Sequence, residues 1–150
     1  MVTIGGYVAA QKLGFHSILD LSQLNVPYEA ASLITTRTLI KENPDRVGKF
    51  VKGFVAAIQY AQGHREFTLK VLSKYMRTSD QEVLNASYDH YVGRIIPRTP
   101  YVSEKGLQAV IDYVRQRNPQ TPAAKAQDFM DNRFIRELDE SGFIKGLYSK

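Results

Sequence analysis

The stretch from Asn43 to Gly63 constrains this chain more than any other. Asn43-Pro44-Asp45 is a compact helix-start signal. Asn43 can cap, Pro44 suits the first helical position, and Asp45 sits well against the positive end of the helix. The apolar residues that follow are Val47, Phe50, Val51, Phe54, Val55, Ile58 and Ala61. Their spacing traces one unbroken helical face, and Gly63 is a natural stop. The face predicts that Val47, Phe50, Val51, Phe54, Val55 and Ile58 are the best-buried helical positions.

The residues upstream read as a strand feeding this helix. Val26 precedes Pro27 and is therefore pushed to extended geometry, which carries into Tyr28. Ser32-Leu33-Ile34-Thr35-Thr36 is short, apolar and β-branched, the pattern of a buried strand. Thr36 or Thr38 then starts a short helical turn through Leu39 and Ile40. Earlier still, Val8–Leu13 reads as a helix stopped by Gly14, and Phe15–Leu21 as a second strand.

The rest of the chain reads as helices. Arg65–Met76 is one. Ser79-Asp80-Gln81-Glu82 resembles a capping box and opens another through Val83, Leu84, Tyr88, Tyr91, Val92 and Ile95. Pro97 and Pro100 break the chain. Ser103 opens a helix whose Leu107, Val110, Ile111 and Val114 face inward. Asn118-Pro119 and Pro122 form a turn-rich link, followed by a helical turn or two within Ala123–Met130. Asp131 or Asn132 caps the last helix and Gly142 ends it, leaving an apolar tail, Phe143–Tyr148. No internal repeat and no low-complexity segment occurs.

Composition narrows the chemistry. With no cysteine, thiolate catalysis, disulfides and zinc–thiolate sites are excluded. The formal net charge is +5, but the basic residues are dispersed. The densest group, Lys41, Arg46, Lys49 and Lys52, is interrupted by Glu42 and Asp45. A nucleic-acid footprint needs a patch rather than a sum, so no nucleic-acid partner is expected. His16, His64 and His90 show no metal-ligand spacing. Glycine-rich phosphate loops and nucleophile elbows are absent. The expectation is therefore a protein that is not an enzyme and uses no cofactor and no metal. No apolar run is long enough to span a bilayer, and residues 1–10 lack the pattern of a signal peptide.

Several pieces occur in a telling order: Gly14-Phe15, Leu19-Asp20-Leu21, Val26-Pro27-Tyr28, Thr35-Thr36-Arg37, Asn43-Pro44-Asp45-Arg46-Val47 and Phe50-Val51-Lys52-Gly53-Phe54. Asp128-Phe129-Met130-Asp131-Asn132 and Ser141-Gly142-Phe143-Ile144 continue it. In that order they resemble the later half of the type II periplasmic solute-binding proteins of ABC importers, of the nitrate/sulfonate/taurine and thiamine-precursor kind. The resemblance covers nearly the whole chain, apart from residues 1–7, and family members are roughly twice this length or more. It implies an α/β, mostly helical, partial type II fold comprising the second half only, with few short strands. Residues 1–27 would be the end of the second lobe and the hinge, and 28–150 the C-terminal part of the first lobe.

The resemblance also implies a function: binding a small, anionic or heteroaromatic solute by closure of two lobes, delivery to an ABC permease, and a periplasmic or extracytoplasmic location. Tyr28, at the hinge, and Thr35 and Thr36, at the end of the crossing strand, are the candidate solute contacts. For Tyr28 the alternative is packing against a neighbouring helix; for the threonines it is helix capping. The competing reading is a helical self-associating or protein-interaction module without solute binding. A homo-oligomer is expected under either reading, because a short strand with open edges is a template for another chain. The alternative to that dimer is a tail, Phe143–Tyr148, that folds back and covers the gap.

Overall fold

The computed structural model describes residues 4–19, 24, 26–29 and 31–149. The described chain is mostly helical. Its helices are α1 (Ile4–Lys12), α2 (Arg37–Glu42), α3 (Pro44–Gly63), α4 (Arg65–Met76), α5 (Gln81–Ser87), a π-helical segment (Tyr88–Ile95), α6 (Glu104–Arg117), a 3₁₀ turn (Ala126–Asp128), α7 (Arg133–Glu140) and α8 (Phe143–Leu147). No strand occurs among the described residues, and none of their helices is long and apolar enough to cross a membrane.

The expected strands are therefore corrected. Ser32–Thr36 forms no ladder among the described residues, and it is exposed along its length, with Ile34 93% accessible. Residues 15–19 of the expected strand at Phe15–Leu21 are likewise without a ladder; Asp20 and Leu21 lie outside the described residues. β-branched composition favours extended geometry, but a strand exists only when a second strand takes up its N–H and C=O groups.

The described residues divide into two units. One takes residues 4–18, 53–100 and 143–149; the other takes the described residues of 19–52 and 101–142. In the first unit, α1 packs on α5, and α4 packs on α5 and the π-helical segment. Val8, Val55, Ile58, Leu84, Tyr88, Val92 and Ile144 form its core. Gly14 stops the opening helix as expected: it adopts a left-handed φ of +83°, and Phe15 N–H donates back to the Ala10 carbonyl at 3.1 Å, the closure typical of a glycine-ended helix. Asp80, not Ser79, caps α5. Its Oδ1 accepts from Glu82 N at 3.0 Å and Val83 N at 3.3 Å. Lys12 Nζ lies 2.7 Å from Asp80 Oδ2 and 3.0 Å from a Glu82 oxygen. The Lys12 ammonium holds the Asp80 carboxyl below its usual range, so a charged carboxylate serves the helix end better than a serine hydroxyl.

The helix expected from Ser79 to Ile95 divides at Ser87, where the spacing widens into the π-helical segment. The Tyr88 hydroxyl donates to the Gln62 carbonyl at 2.9 Å and lies 3.3 Å from that of Ala61. Thr68 Oγ1 also donates to the Ala61 carbonyl, at 3.0 Å. Two side chains thus satisfy carbonyls that the end of α3 leaves open. The Gln62 amide donates to the Ile96 carbonyl at 3.0 Å and the Val92 carbonyl at 3.3 Å, while its oxygen accepts from the Tyr148 hydroxyl at 2.7 Å. The apolar tail is α8, with Ile144 buried and the Tyr148 ring under the Arg98 guanidinium at 4.7 Å. It folds back within its own unit.

Ser87, the last residue of α5, is fully buried, and its Oγ has no hydrogen-bond partner among the described residues. Removing an unsatisfied buried hydroxyl relieves a desolvation penalty. Ser87→Ala is therefore expected to raise stability by about 1–3 kcal/mol in urea denaturation. A loss instead would mean that the hydroxyl is paired in solution.

The second unit is tied together by side chains acting on backbone. Asn132 accepts from Val102 N at 2.9 Å and donates to the Val102 carbonyl at 3.0 Å. Its amide is committed to that bridge, and Asp131 Oδ1 accepts from Arg133 N at the start of α7 at 3.1 Å. The Tyr101 hydroxyl meets Asp139 at 3.0 Å, and Gln108 of α6 accepts from Ala126 N at 2.9 Å. Val47, Ala126 and Ile135 are buried, and the Phe134 ring of α7 lies over Gly48 of α3.

The α3 face needs a second correction. Val47, Val55 and Ile58 are buried, but Phe50 is 65% and Phe54 38% exposed. At about 100° per residue, Val47, Ile58, Val51 and Val55 fall in order across an arc of roughly 80°, while Phe54 and Phe50 lie on the other side of Val47. One edge of the apolar stripe is covered and the other is open.

Candidate functional site

Tyr28, Thr35 and Thr36 all precede α2 outside any helix, and Thr36 itself has extended backbone angles. The backbone before α2 is held at one point by Glu29. One Glu29 oxygen accepts from Ser103 N at 3.1 Å, and the other accepts from the Ser32 hydroxyl at 2.7 Å. Ser103 is also the cap of α6, its Oγ accepting from Gly106 N at 3.1 Å. Gly106 is the residue that lets this segment lie close to α6. A Cβ there would stand 3.0 Å from Glu29 N and 3.2 Å from the Tyr28 carbonyl carbon. Both are backbone atoms, which cannot turn aside as a flexible side chain would.

Held in this way, the Tyr28 side chain is 56% exposed. It is neither a core residue nor enclosed. Thr35 is exposed and lies in no helix or strand. Thr36 is the cap of α2, with Oγ1 accepting from Leu39 N at 3.1 Å, so its hydroxyl is already used by the helix. Arg37, next in sequence, donates to the Asp128 carbonyl and ties α2 to the 3₁₀ turn. Sequence reasoning passed over Glu29, Gly106 and Arg37, the residues that fix this segment in place. Nothing local marks them, since each acts on backbone at least 70 positions away in the chain.

A shallow, open depression of about 410 Å³ lies at the start of α3, lined by Glu42, Asn43, Pro44, Asp45, Arg46 and Lys49. None of Tyr28, Thr35 and Thr36 lines it. Its two carboxylates face two cations, which gives no single charge for a ligand to answer. Among the described residues, no group of three or more histidine or acidic side chains could hold a metal ion. His64 stacks on Tyr60 with ring centroids 3.8 Å apart, and His90 meets Tyr91 edge-on at 5.0 Å.

Gly106→Ala tests the seating of the Tyr28 segment. Overpacking against backbone is expected to cost about 1–3 kcal/mol, less whatever alanine adds to helix propensity, up to about 1 kcal/mol. Amide exchange at Ser103, whose N–H donates to Glu29, should accelerate. Unchanged protection there would show that the segment is held by other means.

Comparison with protein-family models, with curated proteins and with solved structures finds no match for this chain.

Proposed function

We propose that the chain is the C-terminal portion of the solute-binding component of an ABC importer, with a partial type II periplasmic-binding-protein architecture. The observation that carries this reading is the run 31–36, which lies in no helix and has no ladder partner among the described residues. It leaves Leu33 and Ile34 exposed and passes directly into a helix capped by Thr36. An exposed apolar run whose backbone pairs with no other strand offers a further segment of chain a surface to cover. The family resemblance reads this run as the crossing strand, whose ladder partners would belong to a first lobe. On this reading the solute is a small anion or heteroaromatic compound contacted by Tyr28 and Thr35 from one side only. The permease is the downstream partner, and the site of action is extracytoplasmic.

A solute gains affinity by being enclosed between opposing walls, and this chain supplies one. Calorimetry with sulfonates, nitrate, pyrimidines and aromatic carboxylates is expected to show no submicromolar binding. Nuclear magnetic resonance titration at millimolar concentrations of the same compounds should nonetheless move the signals of Tyr28, Thr35 and Thr36. Shifts confined to other residues, or none with any compound, would sink the assignment of these contacts.

The second reading, a self-associating helical module, draws on the open edge of α3, where Phe50 and Phe54 are exposed. Light scattering across a concentration series separates the two. A stable dimer whose formation is abolished by Phe50→Ser favours the module; a monomer at high concentration removes it.

A further inference from the structure

The exposed face of α4 has no place in the solute-binding reading. At about 100° per residue, Phe67, Val71 and Tyr75 fall on one row, at 0°, 40° and 80°, while Lys74 and Lys70 fall on the adjoining row, at about −20° and −60°, and Arg77 follows as the left-handed cap at the end of the helix. All six side chains are exposed, Tyr75 to 76%. Together they form one continuous arc, half aromatic and aliphatic, half cationic. The apolar row is extended at its N-terminal end by Tyr60, which meets Phe67 edge-on with ring centroids 5.4 Å apart and stacks on His64. The opposite side of α4 packs on α5 and the π-helical segment and buries Thr68. The face is therefore oriented outward by a fixed base.

The cations are unengaged. Among the described residues, no carboxylate lies within ion-pair distance of Lys70, Lys74 or Arg77. Lys74 Nζ instead sits 5.7 Å from the centre of the Tyr75 ring, a weak cation–π contact that leaves the charge in solvent. Glu66, beside the cationic row, is the acidic residue of this helix.

We propose that the outward face of α4 is a docking surface for an anionic phospholipid bilayer. The chemistry matches on both rows. Aromatic side chains with polar tips settle at the headgroup boundary, aliphatic and phenyl groups enter it, and lysines lie alongside with their stems in the boundary and their ammonium groups at the phosphates. A second copy of this face is a poor occupant, because symmetric pairing brings Lys70 and Lys74 against their own equivalents. The face is the ridge of a single helix, and α4 contributes nothing to the depression lined by residues 42–49. It thus offers a flat surface more than it offers a peptide groove. The net charge of +5 steers the chain toward an anionic surface from a distance.

The test is co-sedimentation of the whole chain with vesicles of phosphatidylcholine alone and with added phosphatidylglycerol, over a range of salt. Binding is expected only with phosphatidylglycerol, falling as salt rises. Each lysine near such a surface is worth about fivefold in affinity, so the double variant Lys70→Gln/Lys74→Gln is expected to bind about 25-fold more weakly. Phe67→Ser/Tyr75→Ser should weaken binding as well, through lost insertion. Lys41→Gln/Lys49→Gln removes the same charge from exposed positions elsewhere and is expected to change the affinity far less. Thermal melts check that each variant folds; the lysine pair is exposed and decides the matter if the aromatic pair does not fold. No sedimentation with phosphatidylglycerol overturns the proposal, as does an equal effect of the two lysine pairs. Binding to short duplex DNA or to polyglutamate that requires Lys70 and Lys74, with no binding to vesicles, assigns the face to that partner and overturns it too.

Discussion

Leu84→Ala is expected to lower the stability of this protein by about 2–5 kcal/mol, the range for a leucine whose removal leaves a cavity that its surroundings cannot fill. Leu84 is 1% exposed in the middle of α5, the helix against which both α1 and α4 pack. A void there has helices on two sides that would have to move together in order to close it. Phe54→Ala is the informative companion. By sequence periodicity Phe54 belongs to the central face of the longest helix, where truncation costs about 3–5 kcal/mol. With 38% of its surface accessible, it is expected to cost well under half of that, because most of the ring's transfer free energy is never gained. Urea denaturation of both variants ranks them. If Phe54→Ala is the more damaging, the open edge of α3 is covered in solution, by another chain or by the tail.

Gln62→Ala is expected to cost about 1–3 kcal/mol and to loosen three elements at once. The side chain donates to the carbonyls of Val92 and Ile96 and accepts from the Tyr148 hydroxyl. Its own carbonyl accepts from Tyr88. Alanine keeps that carbonyl bond and removes the other three. The partially buried carbonyl of Val92 is then left without this donor, and Tyr148 loses the anchor that holds the end of α8. Amide exchange in 143–148 should accelerate more than exchange in α5. Tyr148→Phe removes one bond of the set and is expected to cost about 0.5–1.5 kcal/mol. Equal protection of 143–148 in Gln62→Ala and the parent would show that Ile144 alone keeps α8 in place.

What the amino-acid sequence makes legible here is what is decided within one turn of chain. Thr36 capping α2, Pro44 opening α3, Ser103 capping α6 and the left-handed glycines at Gly14 and Gly142 are all local bargains between a side chain and the next few backbone groups. Ser32–Thr36 misleads because a strand is a relation between two segments, and β-branched residues describe only one of them. Phe50 and Phe54 mislead for a similar reason. Periodicity shows that a helix has an apolar stripe, but not how wide a neighbour lies against it. Asp80 took the cap from Ser79 because Lys12, 68 positions earlier, lies beside it. Of the candidate contacts, Tyr28 and Thr35 are exposed and Thr36 is engaged in capping. The residues that seat them, Glu29 and Gly106, act over distances that no local pattern carries.

The interleaving of the two units along the chain bears on how the protein comes into being on a ribosome. Residues 4–18 emerge before 19–52 and residues 143–149 after 101–142, yet both belong to the same unit. The other unit is likewise made from two stretches, either side of residue 100. Neither can be completed by a contiguous length of nascent chain, so the α1–α5 pairing and the start of α8 are separated by the synthesis of the 55 residues from 88 to 142. During that interval the Ile144 site stands empty and the carbonyls of Val92 and Ile96 wait beside a Gln62 that Tyr148 has not yet engaged. At roughly 5–20 residues per second the wait lasts several seconds, long compared with helix formation and hydrophobic collapse. α8 therefore reaches its unit after every other described helix of that unit has been made, and a chain released short of Phe143 would carry an unfilled core into solution.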